Sequence, residues 1–319
     1  MKLRPDYRRA FAAPVLVFCI FAVLRISGVI DTAYLTRENE YVAVILLELI
    51  IFLLPGTIYV SVTDTDIRTL RIKPVGIGHV FLIISAVLAI SSCQILLSLA
   101  SAGSQAPLSQ SFDLYGIFIS KNSGSAGSVI YNLIAYAILP AICEEFVFRS
   151  VLCHEYERYG SVTAIFMSSL FFAMIHFDLS MFPTYFVSGV ILALTFYACR
   201  SVVASVFVHL LCNVLSLFNR AFMQTLYNLG GEKLFRFIIV SVFLLSMFLF
   251  CAECSRLYGT YSSRSLSSAY RDLPPDYSAD DLPGIRFFNR HPRISAFFSC
   301  LFFPTALACY VFFIVAVLI

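Results

Sequence analysis

Long apolar runs separated by short polar breaks dominate the chain. They fall near residues 10–30, 41–62, 76–100, 127–157, 161–177, 182–199, 201–219, 234–252 and 294–319. Most are close to the roughly 20 residues that a helix needs to cross a bilayer. Strands cannot replace them, because an open sheet edge would leave backbone groups unpaired in hydrocarbon. The pattern predicts an all-α chain, a polytopic transmembrane helix bundle with about eight or nine spanning helices. Two polar stretches interrupt it. Residues 101–126 are rich in Ser and Gly and read as an outer loop. Residues 255–293 contain SSRSLSSAYRDLPPDYSADDLPG and read as a flexible cytoplasmic linker before the last helix. The first run follows Lys2, Arg4, Arg8 and Arg9, but its length and Arg25 within it favour an uncleaved helix over a secretory signal.

Composition agrees. Of 319 residues, 60% are hydrophobic and 13% charged, against about 45–50% and 25% in soluble domains. Solubility, disorder and a collagen-like chain are excluded. The net charge of +3 gives no argument for nucleic acid. Its distribution is more informative. With the N-terminus placed in the cytoplasm, the outer side holds Arg37, Lys121, Arg220, Lys233 and Arg236. Apart from Arg25 in the first helix and the embedded Arg149, the other Lys and Arg residues fall inside. That asymmetry supports this orientation. The ten cysteines lie almost entirely within apolar runs, as small soft hydrophobes rather than a disulfide framework. Cys251 and Cys254 form one C-x-x-C without a second pair, which reads as packing at a helix end.

An ionisable side chain in hydrocarbon costs roughly 2.5–3.5 kcal/mol or more, so each is a functional candidate. The embedded acids are Glu48, Glu144 and Glu145, and the embedded basic or imidazole groups are Arg25, Arg149, His176 and His209. His79 follows two glycines at a helix start and reads as an interfacial histidine. Arg25 and Glu48 lie at similar depths and are expected to form a structural ion pair. Glu145 and Arg149 are four apart and share a helix face. Glu144 points about 100° away from Glu145 and is left available, either as a general base or as part of a helix-anchoring network. With the turn at Gly160, Glu145 and His176 come to nearly the same depth, roughly 22–24 Å from it. His209 and Asn213, again four apart, serve either as interhelical glue or as oxyanion donors. Together these groups have the parts of a site for hydrolysis by water.

The motifs EExxxR at 144–149, FxxxH at 172–176 and HxxxN at 209–213 resemble the CAAX protease and bacteriocin-processing (CPBP, or Abi) family. Its members are intramembrane endopeptidases, distant relatives of the eukaryotic enzyme that trims prenylated CAAX tails. The resemblance covers about 127–220 and implies roles. Glu144 would activate water, His176 would hold it, and His209 and Asn213 would stabilise the oxyanion. Glu145 and Arg149 would support the site. The expectation is a cofactor-free enzyme. Zinc held by Glu144, His176 and His209 is the alternative, and it lacks the H-E-x-x-H pattern. On this reading residues 1–126 carry three N-terminal spans and the outer loop. Residues 127–220 are the catalytic core, and 221–319 hold the C-terminal spans and linker. The partners are a peptide or membrane-protein substrate and the lipid bilayer, and no nucleic acid. The expected location is a bacterial plasma membrane, with the N-terminus cytoplasmic. A non-catalytic bacteriocin-immunity or scaffold protein of the same fold is the competing reading. A transporter or proton relay would call for inverted repeats with broken helices, and Pro140 has no counterpart in the second half.

Overall fold

The computed structural model describes residues 7–34, 45–101, 126–263 and 292–318, and among them every regular element is a helix. Helix α1 is Tyr7–Tyr34, α2 is Ile45–Val62, and α3 is Val80–Ser101. Helix α4 covers 126–157, α5 is Ser161–Met174 and α6 is Phe182–Cys199. The next helical stretch, Val202–Ser263, has 62 residues. Its length of about 93 Å would be three bilayer cores. Gly231 breaks it with φ 68° and ψ −174°, a conformation only glycine adopts without steric cost. The result is a hairpin of α7 (202–230) and α8 (232–263). Tyr227 and Phe235 meet across the turn with ring centroids 6.0 Å apart, and Ile95 of α3 packs there with Phe235 and Ile239.

The last apolar run holds two helices, α9 (Pro292–Leu301) and α10 (Pro304–Leu318). Pro304 cannot donate the backbone bond that would continue α9. Helix α8 also runs to Ser263, into the stretch expected to be a linker. Most of the expected outer loop (102–125) and the rest of the linker (264–291) lie outside the described residues. Among the described residues, five helices are long and apolar enough to cross a membrane, and four shorter apolar helices accompany them. The chain is an integral membrane helical bundle.

In lipid no hydrophobic force joins helices, so close packing of small residues does. Helix α5 shows this best. Thr163, Ala164, Met167, Ser168, Ser169 and Phe171–Met174 are all buried, so it is enclosed by its neighbours. A Cβ at Gly189 of α6 would lie 3.0 Å from Ser169 Cα, so α6 rides on the α5 backbone. A Cβ at Gly56 of α2 would lie 2.9 Å from Phe146 Cε1, which presses α2 onto α4. The hydroxyl of Ser168 donates to the Phe148 carbonyl at 2.7 Å, and the Phe148 and Phe172 rings meet edge-on at 5.4 Å. These contacts set the register of the α4–α5 hairpin, whose turn is Gly160 at φ 112°.

One pole of the bundle is clasped by the α2–α3 connection. Arg71 pairs with Glu157 of α4 at 2.7 Å. Its guanidinium lies 5.3 and 5.4 Å from the Phe196 and Tyr197 rings of α6, and its carbonyl accepts the Val202 N–H at 3.1 Å. The Ser201 hydroxyl donates to the Lys73 carbonyl. Arg256 near the end of α8 donates to Gly78 O at 2.8 Å. At the periphery α10 runs parallel to α1. Cys309 Sγ donates to Pro14 O at 3.2 Å, and Phe18 meets Phe312 at 5.3 Å. All ten cysteines are unpaired.

Candidate active site

Helix α4 is not a uniform α-helix. Ile134–Ile138 and Phe146–Leu152 are π turns on either side of the α segment Leu139–Glu145. Pro140 explains the first, because it cannot donate to the carbonyl one turn back and its ring crowds that carbonyl. Helix α2 repeats the device, with the π turn Leu49–Leu53 just before Pro55. The second π turn of α4 has no proline and coincides with the step from Glu145 to Arg149. Such turns collect at functional sites.

Glu145 and Arg149 are completely buried and pair at 3.0 Å through Oε1 and Nη1. The same oxygen accepts a hydrogen bond from His209 Nδ1 of α7 at 2.9 Å. Arg149 Nη2 donates to the Gly189 carbonyl of α6 at 3.3 Å. One carboxylate oxygen therefore ties α4 to α7 and, through its arginine, to α6. Phe172 of α5 is the apolar centre of the group. Its ring centroid lies 4.5 Å from the Arg149 guanidinium carbon, 5.2 Å from the His176 ring and 5.8 Å from the His209 ring. The first contact is in cation–π range.

The two histidines have distinct hydrogen-bonding duties. A carbonyl only accepts, so His176 Nδ1, 2.9 Å from Phe172 O, carries a hydrogen and its Nε2 can accept one. His209 Nδ1 donates to a carboxylate, so any outward donation must come from Nε2. Helix α5 has 14 residues, about 21 Å, which is less than a bilayer core. Its end, and His176 just beyond it, therefore stop inside the bundle. Phe177 then takes a positive φ of 48°, a conformation costly for a bulky residue. It is held by ring contacts with Phe21 at 5.4 Å and Phe313 at 6.1 Å. Asp178 Oδ1 accepts the N–H groups of Ser180 and Met181 and so starts α6. Tyr185 of α6 stacks on the His176 ring at 3.7 Å and 16°.

Glu144 is buried, and its Oε2 has no hydrogen-bond partner. It lies within electrostatic reach of Arg149, Glu145 and Glu48. The presence of Glu48 corrects the expected Arg25–Glu48 ion pair. The close approach at Gly56 turns that face of α2 toward α4, and the Leu49–Leu53 turn packs on Leu139–Glu145. Glu48 therefore meets Glu144, and its Oε2 is likewise buried without a partner. Arg25 is exposed on α1, in a groove shared with α10. Similar depth did not imply facing sides, because α1 and α2 carry no polar stripe to orient them.

Of the six motif positions, Glu145, Arg149 and His209 are directly bonded. Glu144 adjoins them along the chain, and His176 joins them through Phe172. Asn213 is half-buried one turn beyond His209 and makes no hydrogen bond to the other five. The sequence reading did not single out Tyr185 or Gly189, and it assigned Glu48 elsewhere. Glu48 was detectable as an embedded acid, but Tyr185 and Gly189 carry no signal of their own.

For zinc, Glu144, His176 and His209 would have to converge. Among the described residues no group of three or more His, Cys, Asp or Glu side chains stands where it could hold a metal ion. The Nδ1 atoms of both histidines are engaged, so any ligand bond would have to come from Nε2, and no step is derived through zinc.

Among curated proteins and among solved structures, no match to the chain is found. A family comparison does succeed, and it covers all six motif positions. Residues 126–215 match the model of the type II CAAX prenyl endopeptidase Rce1-like family.

Proposed function

We propose that the protein is an intramembrane endopeptidase of the CAAX type that cleaves a peptide or a membrane-associated protein tail without a metal. One observation carries this reading. Glu144 Oε2 is buried and unpartnered, and the neighbouring carboxylate, Glu145, is the one whose Oε1 is held by both Arg149 and His209. A buried carboxylate that is not tied to a cation is suited to act as a general base.

In this scheme His176 Nε2 accepts a hydrogen bond from a water, and Glu144 takes that water's other proton. The water oxygen bonds to the scissile carbonyl carbon, and the carbonyl electron pair moves onto oxygen. That oxyanion accepts hydrogen bonds from the Asn213 amide and from His209 Nε2–H. His209 needs a second proton for this, and the Glu145 carboxylate at its Nδ1 supplies the countercharge. The C–N bond then breaks, and Glu144 returns its proton to the leaving amine. Glu145 and Arg149 touch no reacting atom and hold His209 in place. The pole with the Arg71 clasp would face the cytoplasm, following the positive-inside count.

The test is cleavage of prenylated and unprenylated membrane peptides by the purified chain, by Glu144→Gln and by His176→Ala, with and without chelator. Loss of about 10²–10⁴-fold in Glu144→Gln is expected, with unchanged activity in chelator. Full activity in Glu144→Gln overturns the reading. Loss in chelator that zinc restores overturns its metal-free part.

A further inference from the structure

Arg25 is the embedded charge that the site does not use. It lies on α1, 15 residues beyond the start of the apolar run at residue 10, so about 22 Å into a hydrocarbon core of roughly 30 Å. Its guanidinium can reach the headgroup level on the face opposite the N-terminus. The acid at its level, Glu48, faces Glu144 instead. Among the described residues no acidic side chain pairs with Arg25. An arginine in this position needs an anionic partner.

The space beside it fits a particular one. A cavity of about 520 Å³ runs between α1 and α10, lined by Phe18, Arg25, Ala308, Phe312, Val315 and Ala316. That is the size of an ordinary ligand site. Its walls are apolar except at Arg25, so it matches a molecule with one anionic end and a hydrocarbon body. It opens to the lipid side, where Val311 and Val315 are exposed. It does not open into the catalytic group, because Phe177 packs against Phe312 between them.

We propose that the groove between α1 and α10 binds one anionic phospholipid of the surrounding leaflet, with its phosphate on Arg25 and an acyl chain along Phe18 and Phe312. The lone positive charge favours a net-negative headgroup, because the ammonium of a zwitterionic lipid finds no acceptor among the lining residues. The acyl chain would brace Phe312 and, through it, Phe177, which follows His176. The inference stands independently of the proposed proteolysis.

The full chain in detergent would be offered equimolar phosphatidylglycerol and phosphatidylcholine and examined by native mass spectrometry. One retained phosphatidylglycerol is expected, with a preference of about fivefold. Arg25→Gln should abolish the preference, and Arg25→Lys should keep most of it. Ala308→Phe, which fills the groove and leaves the charge, should abolish retention itself. Thermal unfolding of the wild type should rise with phosphatidylglycerol and not with phosphatidylcholine. Equal retention of both lipids by the wild type, or an unchanged preference in Arg25→Gln, overturns the proposal. Should Arg25→Gln not fold, retention in Ala308→Phe decides, and unchanged retention there also overturns it.

Discussion

Two ion pairs on α4 show how differently the molecule uses opposite charges. Arg149–Glu145 has no exposed surface on either side chain, whereas Arg71–Glu157 keeps about a quarter of each exposed. The inner pair is spread over several helices. Its carboxylate also takes His209, and its guanidinium also takes the Gly189 carbonyl and the face of Phe172. The outer pair is a clasp on the α2–α3 connection and has water to fall back on. A buried pair adds little net stability, yet breaking it strands a charge. The inner pair is therefore better explained by what it positions, His209, than by what it stabilises.

The contrast can be broken most severely from the inside. Arg149→Met leaves Glu145 buried with its main countercharge gone, and should cost about 3–5 kcal/mol of unfolding free energy. A chemical-denaturation series in detergent would measure it. The double change Glu145→Leu with Arg149→Met should recover most of that loss while leaving the protein without cleavage activity. Recovered activity would refute the positioning role. Gly189→Ala forces α6 off Ser169 and moves the carbonyl that Arg149 uses. A loss of about 1–3 kcal/mol is expected, together with reduced activity, read from melting and cleavage on the same preparation. The smallest effect is at the outer clasp. Arg71→Ala should cost about 1 kcal/mol or less, and less still at high salt. A larger, salt-independent loss would mean that its stacking on Phe196 and Tyr197 outweighs the charge pair.

Much of this was legible in the chain. The nine apolar runs announced the helices, and the four-residue spacings announced which polar residues share a face. Gly160 marked the turn of the α4–α5 hairpin, since only glycine takes its φ of 112° without strain. Other features were hidden. The two runs at 201–219 and 234–252 did become two helices, but the tight Gly231 turn between them carried no signal, and Pro304 divided what looked like one run. Tyr185 drew no notice, because a tyrosine in an apolar helix is ordinary until a histidine ring is found stacked on it.

The sequence by itself determined that the chain is a membrane bundle and that its few embedded charges are the candidates for its chemistry. That follows because hydrocarbon penalises every charge that lacks a purpose. It also determined which charges share a helix face, because helical spacing is local. Only the tertiary structure decided which faces meet. Glu48 turned to Glu144 because Gly56 lets α2 approach α4, and Arg25 turned to the groove beside α10. Rotation of one helix against another is decided by such contacts, and an evenly apolar helix gives no stripe from which to read it.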